Sequence, residues 1–196
     1  NRAFAYELLN EHQKAIDDYT KMIELNHNDV DAYRFRAYAY RQLGEHQKAL
    51  DDYTEAIELD PYDADKYNNR GFFHEHLGEY QKAIDDYTKA IELNPEDAGP
   101  YYNRGFAYGK LREYRQAIDD YTKAIELNPV DANVYNKRGV TYEALGEYQK
   151  AIDDYTKAIE LNPDYADAYN NRGHAYDNLG EYQKAIDDYT KAIELD

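Results

Sequence analysis

Polar and apolar positions alternate along this chain with a helical period, and the pattern restarts every 34 residues. Over 64–97, Tyr67, Gly71, His74 and Leu77 step by 4, 3 and 3, and Tyr80, Ala83, Tyr87 and Ala90 step by 3, 4 and 3. Steps of this kind keep one side of a 3.6-residue helix apolar, so they predict two amphipathic helices. Asp63 stands where it can N-cap the first helix, and Gly78 where a left-handed C-cap ends it. Asn94-Pro95 then stops the second helix before Asp97 caps the next unit. Pro100 falls in the first turn of its helix, where the missing N–H has no intrahelical partner to lose. The predicted unit is a helical hairpin.

The 24 tyrosines sit on the same ruler. Tyr33, Tyr67, Tyr101, Tyr135 and Tyr169 are 34 apart, as are Tyr19, Tyr53, Tyr87, Tyr121, Tyr155 and Tyr189. A fixed period of this length marks a stacked-repeat architecture. It divides the chain into a partial first repeat at 1–29, full repeats at 30–63, 64–97, 98–131 and 132–165, and a last one at 166–196, with no linker between them. The expectation is a single all-α solenoid over 1–196. Glu79 to Pro95 reads the same as Glu147 to Pro163, which points to recent internal duplication or to consensus engineering.

Small residues recur at fixed offsets. Position 8 of the repeat is Ala3, Ala37, Gly71, Gly105, Gly139 and Gly173; position 20 is Ala15, Ala49, Ala83, Ala117, Ala151 and Ala185; position 27 is Ala except for Met22. Two helices approach closely only where side chains are short. With Tyr87 and Pro95 at their offsets, this 34-residue helix-turn-helix resembles the tetratricopeptide repeat (TPR) along the whole chain. The resemblance implies a right-handed superhelical solenoid that binds protein segments. It departs from the family at position 7, usually aliphatic, which is Arg2, Arg36, Arg70, Arg104, Arg138 and Arg172. Six arginines in register form either a ligand ladder or a row of pairs in the hairpin seam. A partly buried guanidinium needs a nearby carboxylate, so pairing with the Asp-Asp step of the second helix, such as Asp85 or Asp86, is the expectation.

Catalytic constellations fare poorly. The acidic doublets Asp17-Asp18, Asp51-Asp52, Asp85-Asp86, Asp119-Asp120, Asp153-Asp154 and Asp187-Asp188 point in directions about 100° apart on a helix and do not converge on one atom. His74 and His76 diverge likewise, and neither has a ligand partner at the following turn. No Gly-rich phosphate loop or nucleophile elbow is present in the sequence. No catalytic residue, metal site or cofactor is expected.

In the family the first helices line a concave face, with positions 2, 5, 6, 9, 12 and 13 pointing inward. Those positions vary most here. Position 9 reads Phe4, Tyr38, Phe72, Phe106, Val140 and His174, an aromatic stripe that fades along the chain. Position 5 reads Arg34, Asn68, Tyr102, Asn136 and Asn170, and position 6 reads Asn1, Phe35, Asn69, Asn103, Lys137 and Asn171. Rings supply contact area and amides can bond a peptide backbone. The expected peptide-binding residues are therefore Phe4, Arg34, Phe35, Tyr38, Asn68, Asn69, Phe72, Tyr102, Asn103, Phe106, Asn136, Asn170 and His174. Part of the stripe can equally pack between repeats. One branch of the family holds the acidic tails of heat-shock chaperones in a carboxylate clamp. The best window for it here is Arg34, Tyr38, Asn69, Gly99 and Asn103, where Asn69 matches and Arg34 substitutes in part, so that partner is not expected.

Composition narrows the partners further. The formal charge of −17 repels nucleic acid and anionic membrane surfaces and suits basic or neutral protein segments. No cysteine is present, and no run of 18 apolar residues. The opening on Asn1, without an initiator Met or signal peptide, suggests an excised fragment, and no compartment follows from the sequence. Two other roles compete with peptide binding: self-association through uncapped terminal repeats into a homo-oligomer, and service as a substrate-selecting arm of a larger enzyme.

Overall fold

The computed structural model describes residues 2–195; Asn1 and Asp196, which open the first repeat and close the last, lie outside the described residues. Twelve helices and no strand occur among the described residues. In order they are α1 (Arg2–Leu8), α2 (His12–Leu25), α3 (Val30–Gln42), α4 (His46–Leu59), α5 (Ala64–His76) and α6 (Tyr80–Leu93). They continue as α7 (Ala98–Lys110), α8 (Tyr114–Leu127), α9 (Ala132–Ala144), α10 (Tyr148–Leu161), α11 (Ala166–Asn178) and α12 (Tyr182–Leu195). The architecture is an all-α repeat solenoid, in two compact units divided between Asn94 and Pro95. Within each unit every odd-numbered helix packs on the even-numbered helix that follows it, and each second helix packs on the first helix of the next repeat.

The caps form as the sequence predicts. Asp63 accepts a hydrogen bond from the Asp65 N–H and Asp97 from the Gly99 N–H, both at 2.9 Å. Gly78 lies at φ +75°, its N–H donates to the Glu75 carbonyl, and the Glu79 N–H donates to that of His74. These two bonds satisfy carbonyls that the end of α5 leaves without helical partners. At the equivalent turn before α8, Arg112 adopts φ +63° with a side chain that disfavours it. Tyr165 replaces the aspartate cap of α11 and makes no capping bond.

The core is a file of tyrosines against small residues. Tyr19, Tyr53, Tyr87, Tyr121 and Tyr155 are buried, each on the second helix of its hairpin. A methyl group added to Gly139 would sit 2.7 Å from Cε1 of Tyr155, and one on Gly71 would sit 2.9 Å from Cε1 of Tyr87. Glycine at position 8 therefore lets the ring lie directly on the first helix. Phe73 fills the joint between α4 and α5, packed among Ala37, Ala49 and Tyr53, at a position where the other units carry small residues.

The arginine series forms the seam. Arg70 donates from Nε and Nη2 to both carboxylate oxygens of Asp86 at 2.9 and 2.7 Å, and from Nη1 to Thr54 of the preceding repeat at 3.1 Å. Arg36 with Asp52, Arg104 with Asp120, Arg138 with Asp154 and Arg172 with Asp188 repeat the two-pronged pairing. It is the second Asp of each doublet that pairs, and it is buried from α4 onward. The hydrogen bond to Asp86 is the chief reason that the Arg70 pKa is raised, so the guanidinium stays charged. The arginines are fold elements and not a free ladder.

Candidate functional site

In the first unit, α1, α3 and α5 bring Phe4, Arg34, Phe35, Tyr38 and Asn69 around one pocket of about 320 Å³, with Glu7, Leu8 and Tyr53 completing the wall. The rings are ordered by contact with one another. Phe35 stacks on the buried Tyr19 with centroids 5.8 Å apart, and Phe4 meets Phe35 edge-on at 6.4 Å. The Arg34 guanidinium lies over the Phe35 ring at 4.6 Å and donates to Asp31 at 2.9 Å, so its charge is already answered. Arg41 lies over both Tyr38, at 4.9 Å, and Phe72, at 5.7 Å. Phe72 stacks on His76 outside this pocket, and Asn68 is half-buried nearby on α5.

Beneath the pocket the polar groups are unevenly paired. His12 Nδ1 lies 3.1 Å from Glu7 Oε2, while Glu7 Oε1 and the Tyr19 hydroxyl are buried without a hydrogen-bond partner. Burial and the nearby Glu7 carboxylate push the Tyr19 hydroxyl up to about 12, so it remains protonated at neutral pH.

The second unit spreads its expected residues over separate hollows. Phe106, under the ammonium of Lys110 at 5.0 Å, lines a pocket of about 310 Å³ with Lys137 and Val140. His174 lines a neighbouring one of about 480 Å³ with Glu143 and Asn178, its Nδ1 3.1 Å from Glu143. Asn170 borders a third beside Tyr189 and Ile193. Tyr102 leans on Tyr121, its hydroxyl accepting from Asn133 at 3.0 Å, and Asn103 is half-buried on the same helix. Asn136 differs from the open amide that the sequence suggests. It is only 4% exposed, donates to the Tyr165 hydroxyl at 3.1 Å and accepts from Asn171 at 3.0 Å. Its amide therefore ties repeats together. Tyr165 at the cap position is the cause, because its hydroxyl reaches Asn136 and Asn133.

Residues not singled out from the sequence also line these pockets, chiefly Glu7, Leu8, Lys110 and Asn178. They occupy positions 12 and 13, which the resemblance implies point inward; their varied chemistry hid them beside the aromatic stripe. Among the described residues, no three His, Asp or Glu side chains are grouped to hold a metal ion, and no helix is long and apolar enough to cross a membrane.

The tetratricopeptide repeat family model matches residues 30–63, 98–131, 132–165 and 166–196, more than half of the chain. The chain belongs to the tetratricopeptide repeat family. Further TPR models match 76–111 and 52–85. The MamA protein crystal structure is 31% identical over 85% of this chain and 91% of that one, with a TM-score of 0.79. YrrB, a TPR protein with an unusual peptide-binding site, is 29% identical over 90% of this chain and 91% of its own, with a TM-score of 0.74. A MamA from Desulfovibrio magneticus RS-1, residue 41 to the end, is 23% identical over 85% of this chain and 94% of that one, and at a TM-score of 0.79 it shares the fold. No curated protein matches the chain. Membership of this TPR family makes the chain a protein-interaction scaffold.

Proposed function

We propose that the first-helix face binds a peptide segment of a partner protein, with the pocket between α1, α3 and α5 as its principal site and no chemistry of its own. The observation that carries this reading is the convergence of Phe4, Arg34, Phe35, Tyr38 and Asn69, from three successive repeats, on one pocket. Aromatic walls offer contact area at low conformational cost, and the Asn69 amide supplies both a donor and an acceptor for a peptide backbone. The Phe106 and His174 pockets of the second unit are further candidates for the same role. YrrB, by its description a peptide-binding TPR protein, supports the reading. Selection of twelve-residue peptides from a random phage-displayed library on the full chain tests it. Enriched peptides should lose at least tenfold in affinity against Phe4→Ser, Tyr38→Ser, two substitutions at exposed rings. Enriched peptides that bind this double variant unchanged contradict it.

A further inference from the structure

The Tyr–Glu contact beneath the first-helix face is closed in the third and fifth repeats and open in the first. Tyr87 donates to Glu75 at 3.1 Å, and Tyr155 donates to Glu143 at 2.9 Å. In the first repeat the same two positions are Tyr19 and Glu7. Here Glu7 turns one oxygen to His12 and leaves the other, with the Tyr19 hydroxyl, buried and unpartnered. The Glu7 side chain is only 7% exposed, yet Glu7 is part of the pocket wall. A buried carboxylate oxygen with no donor is costly, and a ligand that brings one removes that cost.

The geometry points to a lysine or arginine side chain of the bound peptide as the occupant of this pocket, its charged end donating to Glu7 and its stem lying against Phe4, Phe35 and Tyr38. The inference rests on the pocket's being the peptide site and adds which side chain it selects. Three features favour a cation over a plain apolar residue. Glu7, which lines the pocket, supplies a formal negative charge with one oxygen that has no donor. The one basic residue in the wall, Arg34, donates to Asp31 and lies over Phe35, so part of its charge is already offset. Rings on this face already take cations, as Arg41 over Tyr38 shows, and the chain's charge of −17 draws basic segments toward it. A lysine or arginine stem is long and apolar, which suits aromatic walls above a buried acid.

The test uses four heptapeptide pools, random except that Lys and Arg are excluded and the fourth residue is fixed as Lys, Arg, norleucine or Glu. Each pool is passed over the immobilised full chain and retention is quantified by mass spectrometry. The Lys and Arg pools should be retained at least tenfold over norleucine, with Glu lowest. Glu7→Gln, nearly isosteric and checked by circular dichroism, should bring Lys and Arg retention to within twofold of norleucine retention by the same variant. Equal retention of norleucine and lysine by the unsubstituted chain overturns this inference and leaves the peptide site standing, and it does so whether or not the variant folds. A preference for Lys that survives Glu7→Gln overturns it too, since the charge would then be read elsewhere. Retention of no pool above the Phe4→Ser, Tyr38→Ser background overturns the peptide site along with it.

Discussion

Arg138 grips Asp154 with two parallel hydrogen bonds, 2.8 Å from Nε and 2.7 Å from Nη2, and reaches back to Thr122 at 2.9 Å with its third nitrogen. One side chain thus closes its own hairpin and joins it to the previous one. Both partners are well buried, so removing one leaves an unanswered charge. Asp154→Ala is expected to cost about 3–5 kcal/mol, whereas Arg138→Met with Asp154→Leu, which removes both charges, is expected to cost about 1 kcal/mol or less. Urea denaturation followed by circular dichroism separates the two. Equal losses for the single and double variants would show that the pair acts by packing alone.

The turn before α8 stores backbone strain, since Arg112 holds φ +63° where the other full repeats use glycine. Arg112→Gly is expected to stabilise by about 0.5–1 kcal/mol, the left-handed penalty relieved less the extra entropy glycine brings to the unfolded chain. The converse change, Gly78→Ala at φ +75°, should destabilise by about 1 kcal/mol. Thermal melts of both variants check the pair of signs.

Lys66 is buried between Asp60 and Asp63, with Nζ–O distances of 2.7 and 2.5 Å. Burial lowers its pKa, but the hydrogen bonds to the two carboxylates outweigh that and hold the ammonium above its ordinary value. For Asp63, burial pushes upward, and the bonds from Lys66 and the Asp65 N–H prevail and hold the carboxyl below its ordinary value. A depressed folded pKa contributes stability that is present above the unfolded value, near pH 4, and is lost as pH falls through the folded value. The raised Lys66 contributes below about pH 10 and is lost at higher pH. Lys66→Met should therefore flatten the decline in stability below pH 4, read from urea midpoints between pH 2.5 and 6. A decline as steep as in the unsubstituted chain would refute this assignment.

Close approach in the hairpins rests on position 8. Gly139→Val places branched carbons where even a methyl meets Tyr155 at 2.7 Å, and should destabilise by about 1–3 kcal/mol. Ala37→Gly, at a hairpin already built around a methyl, should cost about 1 kcal/mol. Chemical denaturation of the two variants gives the comparison, and a neutral Gly139→Val would contradict the packing.

Periodic features were legible before any coordinates, because each was written several times. The hairpins, the Asp63 and Asp97 caps, the Gly78 turn and the pairing of Arg70 with an aspartate all follow from the 34-residue ruler. What escaped is what occurs once. Lys66 stands where other repeats have Ala32, Pro100, Val134 and Ala168, and Asp60 where they have asparagine; the two changes answer each other across six residues. Asn136 reads as an open amide until Tyr165, 29 residues later, is found to cover it. Glu7 escaped for a different reason, since position 12 holds Glu7, Glu75 and Glu143 but also Arg41, Gly109 and Asp177, and its neighbours at position 9 are aromatic. Only the pocket shows Glu7 beside Phe4 and Tyr38.

The most direct test of the peptide site is the perturbation of backbone amide signals in the 15N-labelled chain, at 23.0 kDa within easy reach of NMR, on titration with a library-selected peptide. Shifts should concentrate on α1, α3 and α5 around Phe4, Phe35, Tyr38 and Asn69. Shifts confined to the outer face of α12, or to the second helices, would contradict it.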